Sequence, residues 1–475
     1  MTKKAEKILK EVLKEISPDK KTENHLKSLA RKALKIANFI AKKYNAEAML
    51  VGSIVRDTWL PDKKEFDIFI LFPENLTPNQ LEAFGLKVGK EIVKNLKGNF
   101  ILKYAQHPYV SAKVNDVEID IVPCYKIKDP KNLKSAVDRT PFHVKYLNKK
   151  INKKLAGEVR LLKKFLREHS LYGADAKIEG FSGYLCELLI IKYKSFLNLL
   201  KECQKWKLGE IIDLENYYKK EDYLVLRKIF FKQPLIVIDP TDKNRNVAAA
   251  LTLENFFKFK KIAKEFLLNP SKETFYGEKN KYLTDIELSR LKFSRETEFI
   301  AIKFIPPKIS SDILWPQLRK FAERIKNILE ERKYEFKVFG YYVYTDEKDL
   351  ALVFLEMEIY NLPKIQKLIG PYVFDEENSK RFLEAHKECL NGPYIENERW
   401  IVEVERKFKN AREKIIDSLS KSVEVLKAKG IPNYIAEALS KGFEVLDSKN
   451  IEKLLIERRD VGEALYKYFY KQKLV

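Results

Sequence analysis

The stretch KEFDIFILFP, residues 64–73, decides how this chain is read. Phe66, Ile68, Phe69, Ile70, Leu71 and Phe72 make it almost continuously apolar, the pattern of a buried strand. Glu65 and Asp67 interrupt that pattern one residue apart. Because side chains alternate across a strand, both emerge on one face, with Cα atoms about 7 Å apart. Two such carboxylates repel and lose hydration, an arrangement that needs compensation. A hard divalent cation supplies it, since Mg2+ takes carboxylate and substrate phosphate oxygens together. The plainer alternative is an edge strand whose polar face meets solvent or nearby lysines.

The residues upstream sharpen the question. AEAMLV (46–51) reads as a short apolar strand ending at Gly52-Ser53, and IVRDTWL (54–60) has helical character until Pro61. Strand, Gly-Ser and helix make a phosphate-binding arrangement: Gly52 allows close approach, and first-turn amides offer unpaired donors to an anion. The Ser53 hydroxyl adds a donor and Arg56 a charged fork. Alone, a Gly-Ser pair is more often a turn and cap. Here it closely precedes the acidic strand, so anion cradle and metal ligands become neighbouring elements.

A further carboxylate lies in YVSAKVNDVEIDIVP (109–123), which reads as a hairpin turning at Asn115-Asp116. Asp120 and Glu118 share a face there, and spacing alone does not choose between them. Carboxylates on adjacent strands suit a pair of Mg2+ ions clamping the attacking and leaving oxygens of phosphoryl transfer. Asp120, near an attacking hydroxyl, would also be placed to take its proton.

The chain has 475 residues, too many for one ordinary core, so several domains are expected. Lys and Arg number 91 against 68 Asp and Glu, a net charge of +23. A Lys- and Glu-rich surface of the heat-adapted kind explains the many charges but not their imbalance, which favours a polyanionic partner, nucleic acid or an acidic membrane surface. Cys124, Cys186, Cys203 and Cys389 stand far apart without a CxxC pair, which argues against a zinc site of ordinary spacing and against a disulfide scaffold. The opening MTKKAEKILKEVLKEI reads as an amphipathic helix rather than a signal peptide, and no run approaches the length of a membrane span. The expectation is a cytoplasmic protein without membrane contact.

Along the chain, residues 1–16 and 19–44 read as helices separated by the cap signal Ser17-Pro18, and Thr77-Pro78 opens another. From about 155 the pattern turns helical, in AGEVRLLKKFLREH and in GYLCELLIIKYKSFLNLLKECQKW. The strand PLIVID (234–239) then runs into the polar loop PTDKNRN, and residues 270–290 read as a connection. Beyond it come strand EFIAIKF, helix WPQLRKFAERIKNILEER, strands FKVFGYYVY and LALVFLEMEIY, helix PKIQKLI and strand WIVEVER, a βαββαβ order that suggests a ferredoxin-like module. The tail from 408 is Lys-rich and helical.

With these residues in view, VGS…R…W…EFDIF followed by VEIDIVPCY resembles the DNA polymerase β-like nucleotidyltransferase superfamily. SAVDRTPFH (135–143), GFSGYLCELLI (180–190) and DPTDKNRNVAA (239–249) further resemble the archaeal-type, class I CCA-adding enzymes. The carboxylate triplet is superfamily-wide; SAVDRTPFH together with GFSGYLCELLI is specific to that family. The resemblance implies template-independent addition of C, C and A to the acceptor end of tRNA from CTP and ATP, with Mg2+. It implies Glu65, Asp67 and Asp120 as catalytic metal ligands, with Asp120 nearest the primer hydroxyl. It assigns Gly52, Ser53 and Arg56 to the triphosphate, His143, Lys163 and Tyr172 to its other side, and Arg245 to the base edge, where a guanidinium serves acceptors of both C and A. A homodimer is compatible with it.

Each assignment has a duller counterpart. His143 reads equally as a loop histidine in a basic run, Lys163 as a solvated helix lysine, and Tyr172 as packing at a helix end. Arg245 has Asp239 and Asp242 nearby as structural partners, and GFSGYLCELLI reads mostly as architecture. The expected fold is α+β and multidomain: a polymerase β-like nucleotidyltransferase head (1–145), a mostly helical central domain (146–270), a ferredoxin-like module (290–407) and a basic helical tail (408–475) that grips tRNA. The rival readings are a poly(A) polymerase or oligoadenylate-type enzyme and, in another class, a non-catalytic RNA-binding protein. Retention of all the carboxylates speaks against the latter. An antibiotic-modifying type of nucleotidyltransferase accounts for the head but leaves the rest of the chain idle.

Overall fold

The computed structural model describes residues 2–104, 107–277, 281–331 and 335–470. They fall into two compact units, one ending at residue 277 and the other beginning at 281. The first opens with helices α1 (Thr2–Ile16) and α2 (Lys20–Ala41). The cap between them is Asp19, whose carboxylate accepts from the Thr22 amide. The Ser17 hydroxyl instead donates back to the Leu13 carbonyl, at 2.6 Å.

Strands β1 (Glu47–Val51), β2 (Glu65–Phe72), β3 (Asn99–Tyr104), β4 (Pro108–Val114) and β5 (Val117–Tyr125) form one sheet in the order β1-β2-β5-β4-β3. The β4–β5 hairpin turns where expected, with Asn115 at φ 57°. Edge strand β3, exposed along most of its length, carries no apolar alternation that announces it in the sequence. Between β2 and β3, helix α3 (Pro78–Leu96) starts with a Thr77–Gln80 capping box and Pro78 in its first turn. Helices α2 and α3 bury Ala33, Ala37, Val88 and Ile92 against Phe66, Ile68, Ile70, Ile119 and Ile121 of the central strands. That packing fixes which face of β2 and β5 is core, and therefore which face carries the acids.

The helical part of this unit has its own core. Helices α4 (Thr140–Lys150), α5 (Lys153–Glu168) and α6 (Gly183–Tyr193) lead it. Helix α1 packs here, placing Val12 and Ile16 among Leu162, Phe165 and Leu189. The long apolar run after Gly183 is two helices, because Lys194 turns to φ 67° and Ser195 caps a new helix, Phe196–Cys203. Leu235–Asp239 is a fully buried strand, and part of the expected polar loop after it forms the paired strand Asp242–Asn246.

In the second unit, helix Asp285–Arg295 occupies part of the expected connection. Strands Glu298–Phe304, Lys337–Thr345 and Ala351–Ile359 and helix Ser311–Leu329 appear as expected. The four-stranded antiparallel sheet runs 337–345, 351–359, 298–304, 443–446, the ferredoxin-like order, but its fourth strand is Phe443–Leu446. The Lys-rich segment from 408 thus supplies an edge strand as well as helices. WIVEVER is a strand in a different sheet, Arg399–Glu405, between Ile365–Tyr372 and Asn391–Glu396. The helix expected in PKIQKLI is the strand Ile365–Tyr372: Ile365, Lys367 and Ile369 are exposed while Gln366 and Leu368 turn inward, a period of two rather than 3.6.

Close packing of α3 on the sheet depends on two positions without side chains. A Cβ on Gly85 would lie 2.5 Å from Pro123 Cβ, and one on Gly89 would lie 2.7 Å from Val110 Cγ2. Alanine is the better helix former by about 1 kcal/mol, yet here it forces helix and sheet apart. Gly85→Ala and Gly89→Ala are each expected to destabilise the protein by about 1–3 kcal/mol, read as a lower thermal midpoint; unchanged or higher midpoints would contradict the packing.

Candidate active site

Strands β2 and β5 pair in parallel, with Asp67 in register with Asp120 and Glu65 with Glu118. Residues in register across a parallel pair share a face, so Asp67 and Asp120 stand side by side opposite the apolar core. Burial, then the charges of Asp120 and Glu65, push the Asp67 carboxyl up to about 7. Asp120 accepts from the Ser111 hydroxyl at 2.5 Å, and Lys103 Nζ lies 3.9 Å away. Tyr109 also hydrogen-bonds Asp120; burial and that neighbour push its phenol up to about 12. Glu118, which spacing did not separate from Asp120, is the exposed member of its strand face. Glu65 pairs with Lys63 at 2.6 Å. Among the described residues no three acid, His or Cys side chains stand drawn together as a ready cation cage.

The turn over these acids starts at Gly52, where φ is 83°. A Cβ there would lie 2.6 Å from Asp67 Oδ2, so only glycine lets the backbone pass this close to the carboxylate. The helix expected after Gly52-Ser53 is a single 3-10 turn, Ser53–Arg56. It stops because Asp57 adopts φ 54° and is tied down: Lys27 Nζ pairs with its carboxylate at 2.7 Å, and Arg160 Nε donates to its carbonyl at 2.8 Å.

Arg56 leaves this turn toward the helical core and meets Glu187 of α6. Its Nε and Nη2 donate to Glu187 Oε1 and Oε2 at 3.3 and 3.1 Å. Both side chains are buried, at 6% and 3% exposure. The Thr58 hydroxyl donates to Glu187 Oε1 at 2.6 Å, while Lys163 Nζ donates to the Thr58 carbonyl at 3.1 Å. Lys163 is thus buried rather than solvated, and burial lowers its ammonium below the usual lysine range. Gly183 makes room beside it: a Cβ there would lie 3.2 Å from Tyr172 Oη and 3.8 Å from Lys163 Nζ. Tyr172, under the Arg167 guanidinium, has its phenol pushed far up, mainly by burial and then by Cys186, with Glu187 and Glu65 adding less.

A second cluster gathers on Asp239, at the end of the buried strand. His143 Nε2 and Arg245 Nη1 each lie 2.8 Å from Asp239 Oδ2, and the Tyr184 hydroxyl donates to Oδ1 at 3.0 Å. His143 sits on α4 rather than in a loop, stacked on the Tyr184 ring with centroids 4.0 Å apart. The Asp239 carboxyl is held well below the usual carboxylate range by its hydrogen bonds and its basic neighbours, against its own burial. In SAVDRTPFH the buried Asp138 accepts the Tyr125, Lys134 and Ser135 amides, which ties the start of the His143 helix to the end of β5.

The expected residues therefore fall into two neighbouring groups. One runs from Glu65, Asp67 and Asp120 through Gly52, Ser53 and Arg56 to Lys163 and Tyr172; the other joins His143 to Arg245. The start of α6 touches both, through Gly183, Tyr184 and Glu187. Sequence reasoning missed Glu187, Thr58 and Tyr184 as members of the site, and named Asp239 only as a structural partner of Arg245, a pairing the structure contains. The signal for Glu187 was present: an acid in the apolar run YLCELLII, as anomalous there as Asp67 is in its strand.

Three family descriptions match consecutive parts of the chain: "Nucleotidyltransferase domain" over residues 30–143, "tRNA nucleotidyltransferase, second domain" over 157–276, and "CCA-adding enzyme, C-terminal domain" over 295–448. A protein of Methanocaldococcus jannaschii named CCA-adding enzyme is 41% identical over 405 residues, covering 83% of this chain and 88% of that protein. Proteins of the same name from Archaeoglobus fulgidus and Methanothermobacter thermautotrophicus are 37% and 35% identical, covering 86% and 88% of this chain and 88% and 90% of theirs.

The raised carboxyl of Asp67 makes a prediction with a definite sign. Unfolded, this group releases its proton near 3.8; folded, near 7. Its charge therefore opposes folding increasingly as pH rises from about 4 to 7. Asp67→Asn is expected to raise the thermal midpoint of the metal-free protein, by about 2–4 °C for each kcal/mol relieved, with the gain largest above pH 7 and shrinking toward pH 4. An added divalent cation should raise the wild-type midpoint more than the variant's. A variant less stable than wild type at pH 8 without metal would contradict this electrostatic account.

Proposed function

The chain belongs to the archaeal CCA-adding enzymes, and from that premise we propose which of its residues hold the nucleotide and the metal. It adds C, C and A without a template to the 3′ end of tRNA, from CTP and ATP. The tRNA 3′ hydroxyl attacks the nucleotide α-phosphate; the new phosphodiester bond forms as the α–β phosphoanhydride breaks and pyrophosphate leaves. Enzymes of this class use divalent metal ions.

We assign the metal as Mg2+ and its ligands as Glu65, Asp67 and Asp120. What supports this is the donor set: hard carboxylate oxygens in register on adjacent strands, one of them with a carboxyl that burial, and then its acidic neighbours, keep from ionising freely. When bound, such a cation neutralises charge on the phosphates and polarises the reacting oxygens. The protein supplies the rest by positioning. Gly52 lets the backbone approach, and Ser53 and Arg56 offer donors to the triphosphate, with Lys163, Tyr172 and His143 on its other side. Asp120, fixed by Ser111 and Tyr109, is the carboxylate we assign to the primer hydroxyl and its proton. Arg245, aimed by Asp239, presents guanidinium donors to acceptors that C and A share.

The observation that carries this reading is the placement of Asp67 beside Asp120 beneath the Gly52 turn, within a chain that matches the family's parts in order. The excess of basic residues fits a grip on the tRNA backbone. No helix among the described residues is long and apolar enough to cross a membrane. The proposal includes a cytoplasmic location and a homodimer, which light scattering would register as twice the mass of one chain.

Labelled nucleotides offered singly to tRNA lacking its terminus test the assignment. CTP should extend such tRNA and then stop, ATP should extend only tRNA already ending in CC, and both reactions should need a divalent cation. Unlimited A addition to arbitrary RNA, without use of CTP, would contradict it. Binding of tRNA should weaken steeply with salt, by about three to five decades between 50 and 200 mM if some six to ten phosphates are contacted.

A further inference from the structure

We propose that Glu187 is a positioning residue for the incoming triphosphate, acting through Arg56; the proposal rests on the reading of Arg56 as a triphosphate ligand. A guanidinium offers five donors in a rigid fork. Glu187 takes the Nε and Nη2 edge side-on, from a helix 131 residues further along the chain. The remaining nitrogen, Nη1, is buried without a hydrogen-bond partner among the described residues. A buried donor left unpaired is costly, and here it belongs to a side chain whose other edge is fully satisfied. The carboxylate therefore does not silence the arginine. It fixes the plane of the fork and leaves one end open.

The surroundings fit that role better than simple adhesion between head and helices. Glu187 is itself held by the Thr58 hydroxyl at 2.6 Å, and Thr58 in turn accepts from Lys163, another basic group assigned to the triphosphate. Arg56 and Thr58 both lie on the segment that begins at Gly52, above Asp67. One acid on α6 thus sets the direction of a cation at the phosphate turn, and the hydroxyl that grips this acid also orients a second cation. Adhesion alone calls for neither the open donor nor the link to Lys163.

A double-mutant cycle separates the two roles. The wild-type enzyme, Arg56→Ala, Glu187→Gln and the double variant are assayed for CTP and ATP addition to tRNA lacking its terminus. Glu187→Gln keeps the shape but loses the bidentate grip. Arg56→Ala and Glu187→Gln are each expected to raise KM for both nucleotides by about ten- to a hundredfold, with KM for tRNA unchanged, and the double variant should be no worse than Arg56→Ala. If the two losses multiply, or if Glu187→Gln leaves nucleotide KM unchanged, Glu187 does not act through Arg56 and the proposal falls. If Arg56→Ala itself leaves nucleotide KM unchanged, the underlying reading of Arg56 falls with it. Should Glu187→Gln fail to fold, Thr58→Val removes one hydrogen bond from the carboxylate at constant shape. It should raise nucleotide KM by about two- to tenfold, and no rise would overturn the proposal.

Discussion

The parallel pairing of β2 with β5 is the constraint on which the rest of the site depends. Its register sets Asp67 beside Asp120, and a slip of one residue would part the two acids, turning the acid of the slipped strand into the core and its apolar neighbours outward. The register is secured from the opposite face, where Phe66, Ile68 and Ile70 pack with Ile119 and Ile121 under α2 and α3. β1 and β4 flank the pair, so neither acid-bearing strand is an edge. The cost of crowding two carboxylates in a partly desolvated place appears in the raised Asp67 carboxyl. Hydrophobic burial on one side of the strands thus holds a charge arrangement on the other that the acids alone would not keep.

The helical core is equally part of the chemistry. The first turns of α6 reach the Gly52 turn through Glu187, stand beside Lys163 and Tyr172 at Gly183, and orient His143 through Tyr184. Breaking a buried pair such as Arg56–Glu187 by removing one partner costs about 3–5 kcal/mol, so the pair also fixes how these helices sit on the Gly52 turn. Basic groups assigned to phosphate come from both sources: Arg56 from the turn after β1, Lys163 from α5, His143 from α4. Each is aimed by an acid or hydroxyl from another element.

How much of this was legible in the sequence varies with the range of the interaction. The acid-bearing strand, the hairpin at Asn115 and the glycine turn rest on local signals, and they stand in the structure at the expected residues. PKIQKLI failed because a short run with two isoleucines and a leucine fits either period, and pairing with Arg399–Glu405 decided for the strand. The fourth strand of the ferredoxin-like sheet comes from Phe443–Leu446, because a three-stranded sheet is inserted between residues 365 and 405 and a linear reading cannot see past it. The helix after Ser53 was cut short by contacts from Lys27 and Arg160, which are remote in sequence. Lys163 and Tyr172 gave no sign of burial. Glu187 is visible as an acid in an apolar run, but its partner lies in another element, and the motif around it reads as architecture.

The most direct measurement is a crystal structure of the protein with Mn2+ and a non-hydrolysable CTP analogue. Manganese anomalous density between the carboxylates of Asp67 and Asp120, with the triphosphate lying along the Gly52–Ser53 turn, is the predicted result. Metal bound away from that pair, or a triphosphate that leaves the turn untouched, would contradict the account.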